Sequence, residues 1–306
     1  MYRAPSLSLC TFMQIEFSVL KPFNKMVMGI GLSPSLIANI KEAARLCEHL
    51  ANEIIFVHVG DGKTASREEI ESQMQSFGEV QVPHQFLWLE GDISDSILKV
   101  CEEQKADLLM VGALPREGLL RYYMGSVARQ LVRKSNCSIM LLTQPMRFPK
   151  AYRHIVVSGA KHPKTRDTIH KTLEVADALG TKLLHIVEEI APDKKTSRAA
   201  DDQEQARCNR WRHIIEEREQ HRIKLALKEE NPHNLEIENQ VIFGKPGYSI
   251  GHFTQSSGAE LLVLNSPDTK LGFMDRVFTH DLEYILSELP SDLLIVHSSD
   301  PKPLNA

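Results

Sequence analysis

At 306 residues the chain exceeds what one compact α/β unit needs, so two domains of about 150 residues are expected. An apolar content of 42% and a charged content of 25% are ordinary for a soluble globular chain able to bury a core. The net charge is −4, with Lys/Arg and Asp/Glu in balance up to residue 150 and the whole deficit after it. No domain-wide basic surface is available, which argues against nucleic acid as the main partner.

Taken in order, the chain opens on MYRAPSLSLCTFMQIEFSVL. Gln14 and Glu16 interrupt its apolar patch and no small-residue cleavage site follows, so residues 1–20 read as an extension or an extra edge strand and not as a signal peptide. KMVMGIG is a buried strand. Ser33-Pro34 then reads as a cap with proline at the first helical position, and Leu36, Ile37, Ile40, Ala44, Cys47 and Leu50 recur at helical spacing. IIFVHV (54–59) is the next strand, with a polar helix over 65–77. QFLWLEG leads to a helix over about 93–104, and DLLMVG (107–112) is a strand. The stretch VGALPREGLLRYYMGSVARQL (111–131) has the outline of a strand, a glycine loop and a helix opening on Gly125-Ser126, with Val127, Ala128 and Leu131 on one face. SIMLL (138–142) closes the unit.

After TQPMRFPKAYR the order begins again. HIVVSG answers MVMGIG, KLLHIV answers IIFVHV with His185 set against His58, VIFGKPGYSI answers LWLEGDISDSI, ELLVLNS answers DLLMVGA, and SDLLIVHS answers CSIMLLTQ. The helix from Pro163 to Leu179 ends at Gly180. The offset is 128 at the first strand and 153 at ELLVLN, so about 25 residues are inserted within 193–230. Trp211, Ile215, Ile223 and Leu227 lie there at multiples of four, predicting a long amphipathic helix with one apolar stripe and a solvated face. The fold class is therefore α/β: two tandem copies of an open, mostly parallel five-stranded sheet with helices on both faces, spanning 21–145 and 150–300.

Four ordered features recur in register: GIGLSPS, FVHV, GDISDSI, and Gly112-x2-Pro115-x9-Gly125-Ser126. On these the chain resembles the universal stress protein (UspA-like) family, as a tandem two-domain member. In that family a G-x2-G-x9-G-[ST] loop marks members that bind ATP. The resemblance implies an adenine nucleotide in the first copy at Gly31, Gly112, Arg116, Gly125, Ser126 and Val127. The chemistry agrees, since a helix start offers free N–H groups and a positive dipole to phosphate, and Arg116, Arg121, Arg129 and Arg133 make the segment locally basic. Two departures stand against it. Pro115 has no N–H where the family has glycine, and Gly31 takes the place of the acid that helps hold the adenosine. In the second copy Asn265, Asp268, Thr279 and His280 fill the loop positions and Ala160 the acid position, so nucleotide binding there is not expected. The rival within the family is a scaffold or interaction protein that binds no nucleotide. The family also commonly dimerises through its last strand, which implies that Ser138–Leu142 and Leu293–His297 pair within this chain as an intramolecular pseudo-dimer; pairing of whole chains stays open.

Other chemistry finds no pattern. GxxxxGK[ST] and the SGGxDS and HIGH loops are absent from the sequence, so an enzyme ranks below both binding readings. His162 and His170, like His213 and His221, are eight residues apart, which suits no one-face metal pair, and no metal is expected. Five scattered cysteines without a CxxC read as reduced thiols, and no apolar run reaches the roughly 18 residues of a spanning helix. A cytoplasmic location is the expectation.

Overall fold

A computed structural model describes residues 20–60, 64–75, 80–115, 122–143, 150–191, 202–227, 234–267 and 280–298. The first series of elements is β1 (Lys25–Ile30), α1 (Leu36–Leu50), β2 (Glu53–Gly60), α2 (Thr64–Gln75), β3 (His84–Glu90), α3 (Ile93–Glu103), β4 (Leu108–Gly112), the two-residue strands β5 (Leu114–Pro115) and β6 (Tyr122–Tyr123), α4 (Ser126–Lys134) and β7 (Ser138–Leu142). The second is β8 (His154–Ser158), α5 (Thr165–Leu179), β9 (Leu183–Ile190), α6 (Asp202–Ala226), β10 (Glu236–Phe243), α7 (Tyr248–Ser256), β11 (Leu261–Asn265), α8 (His280–Ser287) and β12 (Asp292–Val296).

Ten strands form one sheet in the order β10-β9-β8-β11-β12-β7-β4-β1-β2-β3. Every pair is parallel except β12 with β7, which run antiparallel with Leu293 opposite Leu141 and Ile295 opposite Ile139. The last strands of the two series thus satisfy each other's backbone, as expected of an edge that would otherwise invite foreign pairing. Both are buried along their whole length. Alternation of side chains feeds two cores. Met26, Met28 and Phe56 face α1 and α5 on one side, whereas Val27, Ile55 and Val57 face α3 and α4 on the other.

The seam is fastened by polar groups at both ends. Ser138 and Asp292 begin their strands and occupy equivalent places, opposite Leu108 and Leu261 respectively. The His297 N–H donates to Ser138 Oγ at 3.1 Å, and the Thr143 N–H donates to Asp292 Oδ1 at 2.7 Å. Asp292, buried, also accepts from Thr143 Oγ1 at 2.7 Å and Tyr152 Oη at 2.6 Å, with Lys150 Nζ 3.2 Å away. A buried carboxylate is tolerable only with such a set of donors.

Three details of the sequence reading change. Helix α1 starts two residues later than the Ser33-Pro34 cap predicts: Ser35 is the cap residue, its hydroxyl caps nothing, and the Leu36 N–H reaches back to Ser33 O. Ser33 and Pro34 form the turn before the helix instead. Pairing also shows the true internal register. Met26 sits between Ile54 and Leu108 as Ile155 sits between Leu184 and Leu261, so the offset at the first strand is 129 and not 128. By the same pairing His58 corresponds to Glu188 and not to His185, which lies opposite Val156 in mid-strand. Apolar runs buried on both faces carry no alternation to fix a register, and small slips go unseen in sequence. Finally, the stripe of α6 is not purely apolar. Ile215 and Ile223 are buried as predicted, but Glu219 between them is buried too, while Trp211 is half-exposed with its ring 6.0 Å from Phe243.

Candidate functional site

The carboxyl ends of β1 and β4 are neighbours, where the strand order reverses and open α/β sheets bind ligands. Gly31 and Gly112 therefore come to one edge. Gly31 is exposed, and a Cβ there would meet open space, so nothing in the fold demands glycine. Gly112 is different. A Cβ on it would lie 2.9 Å from Nδ2 of Asn39, in the first turn of α1, so the missing side chain makes room for that carboxamide. Asn39 Oδ1 is buried with no partner among the described residues. Sequence reading passed over Asn39; an amide between the inward-facing Leu36 and Ile40 was the available signal.

The flanks of the glycine loop pair with each other as a two-stranded sheet apart from the main one. Leu114 and Pro115 pair antiparallel with Tyr123 and Tyr122. Proline is tolerated in so short a strand at an edge. A Cβ on Gly125 would lie 2.7 Å from Cδ1 of Leu114, so Leu114 covers the spot where phosphate would approach the backbone. The far strand of this pair is bonded to the other series: Met124 N–H donates to Leu286 O at 3.0 Å and Leu289 N–H to Tyr122 O at 3.0 Å.

Gly125 is the cap residue of α4, with no side-chain cap and no acid in the first turn; Ser126 is exposed and Val127 half-buried against the core. The basic residues of this helix are already engaged. Arg129 donates to Met124 O at 3.2 Å and pairs with Glu283 of α8, and Arg133 Nη2 lies 3.7 Å from the same carboxylate. Glu283 is 154 positions from Arg129, beyond any local sequence signal. Arg116 and Arg121, as well as Asp268 and Thr279, lie outside the described residues. The parts expected to cradle phosphate thus have partners within the chain: Asn39 at Gly112, Leu114 at Gly125, and Glu283 at the arginines.

The equivalent edge of the second series is built from other groups. In the first, His58 Nδ1 lies 3.1 Å from Ile30 O, a bond from β2 to the end of β1. In the second, Glu188 stands in the histidine's place and Gly159 in that of Ile30. Arg222 of α6 joins them, hydrogen-bonding Glu188 Oε2 at 2.6 Å and the Gly159 carbonyl, while its Nε meets Glu219 Oε2 at 2.6 Å. Burial pushes the Glu188 carboxyl up to about 7, against the pull of Arg222 and with the help of Glu219. Burial also works to raise Glu219, but its bonds to Arg222 and Arg218 prevail and hold it below the usual range. The inserted helix therefore completes the edge of its own series.

The histidine pairs read as metal-unlikely in sequence each find an acid one turn on: His170 lies 3.3 Å from Glu174, and His213 3.3 Å from Glu217. Among the described residues no group of three His, Cys, Asp or Glu could hold a metal ion, and no helix is long and apolar enough to cross a membrane.

Comparison with known proteins bears on this geometry. The pattern of the universal stress protein family matches residues 62–143. Universal stress protein MJ0531 of Methanocaldococcus jannaschii is 33% identical over 57 residues, which is 19% of this chain and 34% of that protein. The chain thus matches about a third of the length of that relative. Among solved structures, a universal stress protein from Archaeoglobus fulgidus superposes with a TM-score of 0.61 at 14% identity, covering 92% of this chain and 98% of its own. A functionally unknown protein, PA1789, from Pseudomonas aeruginosa gives the same score and identity over 92% of this chain and 94% of its own. The two superpositions bear on the fold, a mostly parallel α/β sheet of the universal stress protein type, and the matched segment holds the glycine loop. Residues 62–143 thus carry the universal stress protein pattern, and the fold likeness to solved universal stress proteins extends over the whole chain.

Proposed function

We propose that this protein is a non-enzymatic regulatory protein of the stress response that acts as an interaction scaffold, with its first glycine loop turned into a fastening between two domains, 21–145 and 150–300. The observation that carries this reading is the engagement of Arg129 and Arg133 by Glu283, together with Leu114 resting over Gly125. Gly112, Gly125, Arg129 and Arg133 each have an internal neighbour, and the flanks of the loop hydrogen-bond to α8 and its C-terminal turn. Displacing them for a nucleotide would cost contacts that hold the two domains together.

A second reading has one observation in its favour. The start of α4 is uncapped, free of acids and open at Ser126, and such a helix end attracts anions. On that reading an adenine nucleotide sits at Gly31, Gly112, Arg116, Gly125, Ser126 and Val127 after Leu114 moves aside. Calorimetric titration of ATP into wild type, Gly125→Val and Glu283→Ala separates the two. The scaffold reading expects no heat of binding at millimolar ATP in any of them. Binding by wild type that is lost in Gly125→Val would establish the nucleotide reading, and binding gained only in Glu283→Ala would show a latent site silenced by the domain contact. Mass spectrometry of the denatured protein checks for ATP, ADP or AMP carried through purification.

A further inference from the structure

A cavity of about 390 Å³ opens at the carboxyl edge of the second series, between the ends of β8 and β11 and under α8. This is the size of a small-ligand site. Ile250, Leu264, Leu282 and Ile285, all buried, give it an apolar wall; Asn265 and Glu188 are its inner polar groups.

The hydrogen bonds around Asn265 fix what it offers. Thr165 Oγ1 gives its one proton to Ala160 O at 2.5 Å. It can therefore only accept from Asn265, which must present Nδ2, 3.1 Å away. Asn265 Oδ1 is left as an acceptor, buried and without a partner among the described residues. An unmet buried acceptor costs about 1–3 kcal/mol, which a ligand donor would recover. The neighbouring charges select the kind of donor. Glu188, paired through Oε2 with Arg222, lines the cavity, and Glu189 beside it occupies the start of α7, accepting from Gly247 N–H at 3.0 Å and Ile250 N–H at 2.8 Å. The helix end that could have drawn an anion is already filled by a carboxylate. Lys164, buried nearby, is turned to backbone, donating to Ser266 O and Pro267 O at 3.0 Å each. Lys161 and His162 stand at the mouth.

We propose that this cavity binds a small, phosphate-free ligand that carries N–H donors on an apolar ring, neutral or cationic, such as an amidine or an amino-heterocycle. Asn265 Oδ1 and the Glu188 carboxylate receive the donors, and the four aliphatic side chains take the ring. The site is independent of the glycine loop in the first series, and the two proposals stand or fall separately.

The test uses the full chain with methyl-labelled isoleucine and leucine, titrated with benzamidine as donor probe and benzoate as its anionic counterpart of the same shape. Benzamidine should shift the methyl signals of Ile250, Leu264 and Ile285 saturably, and benzoate should leave them in place. Asn265→Leu should weaken the benzamidine response about tenfold or more, and Glu188→Gln should also weaken it. Circular dichroism and the unaffected methyl signals of the first series verify that both variants fold; Glu188→Gln, nearly isosteric, keeps the test alive if Asn265→Leu does not. The proposal is overturned if benzamidine gives no saturable shift of these methyls, if benzoate shifts them equally, or if folded variants bind benzamidine as wild type does.

Discussion

The two halves of the sheet solve the same local problems with different means. At the end of the first strand, the first half uses one side chain, His58, reaching a carbonyl across one strand. The second places Glu188 there, which cannot donate when ionised, and must bring Arg222 from 34 residues further along. At the helix after the third strand, Asp92 caps α3 itself by accepting from the Asp95 N–H at 2.9 Å. In the second half Gly247 stands at the cap of α7, and Glu189 supplies the carboxylate from a neighbouring strand. The first half is locally self-sufficient, whereas the second depends on groups assembled by the fold. A protein can therefore keep its architecture while its site chemistry drifts, provided that most buried polar groups find some partner.

The sharpest way to break this comparison is at the paired positions themselves. Arg222→Met leaves Glu188 buried without its cation and Glu219 with Arg218 alone, and should cost about 3–5 kcal/mol in urea unfolding. His58→Phe removes one hydrogen bond and should cost about 0.5–1.5 kcal/mol. Equal losses in the two variants would remove the distinction drawn between the halves.

Proton linkage gives a smaller effect. A carboxyl raised to about 7 in the folded state and near 4.5 when unfolded holds its proton more tightly in the native protein. Its stabilising contribution is full below about pH 4.5 and is lost as pH rises through 7, with a slope of at most about 1.4 kcal/mol per pH unit. His154 works in the opposite sense. Burial first, and then the neighbouring His185, lower its pKa, so its contribution is lost as pH falls. The comparison must accordingly be made by difference. Wild type minus Glu188→Gln should lose stability from pH 5 to about pH 7 and level off above it, and a flat difference would show that the fold does not raise the Glu188 pKa.

The smallest effect belongs to the caps. Asp92→Ala should cost about 1 kcal/mol, the usual worth of a helix N-cap, and Glu189→Ala somewhat more, because its carboxylate serves two N–H groups. Melting temperatures of the two variants rank them. The reverse order would mean that α7 is held by packing alone.

Much of this was legible from residues in chain order. Short apolar strands alternating with amphipathic helices gave the α/β class, because strand burial and helical periodicity are written in local spacing. Gly180 marked the end of α5 correctly: it takes a left-handed conformation, φ 67°, which glycine adopts at least cost. Asp92, two residues before the buried Ser94, was a further cap signal of the same kind that the sequence reading passed over. The repeat itself was visible, although its register was misread by one residue at the first strand and by two at the second, since strands buried on both faces give no alternation to count.

What the sequence by itself determined was therefore local: the elements, their order, the duplication, and the loop whose glycine spacing marks the family. What only the tertiary structure decided was which of those residues are free to act. Asn39 meets Gly112, Leu114 meets Gly125, and Glu283 meets Arg129 across a fold that brings positions 11 to 154 residues apart into contact. The same folding leaves Asn265 Oδ1 unmet in a cavity of the half that the loop motif had set aside. Whether a polar group binds a ligand or its own chain depends on what lies within about 3 Å of it, and that proximity is a property of packing that spacing along the chain does not carry.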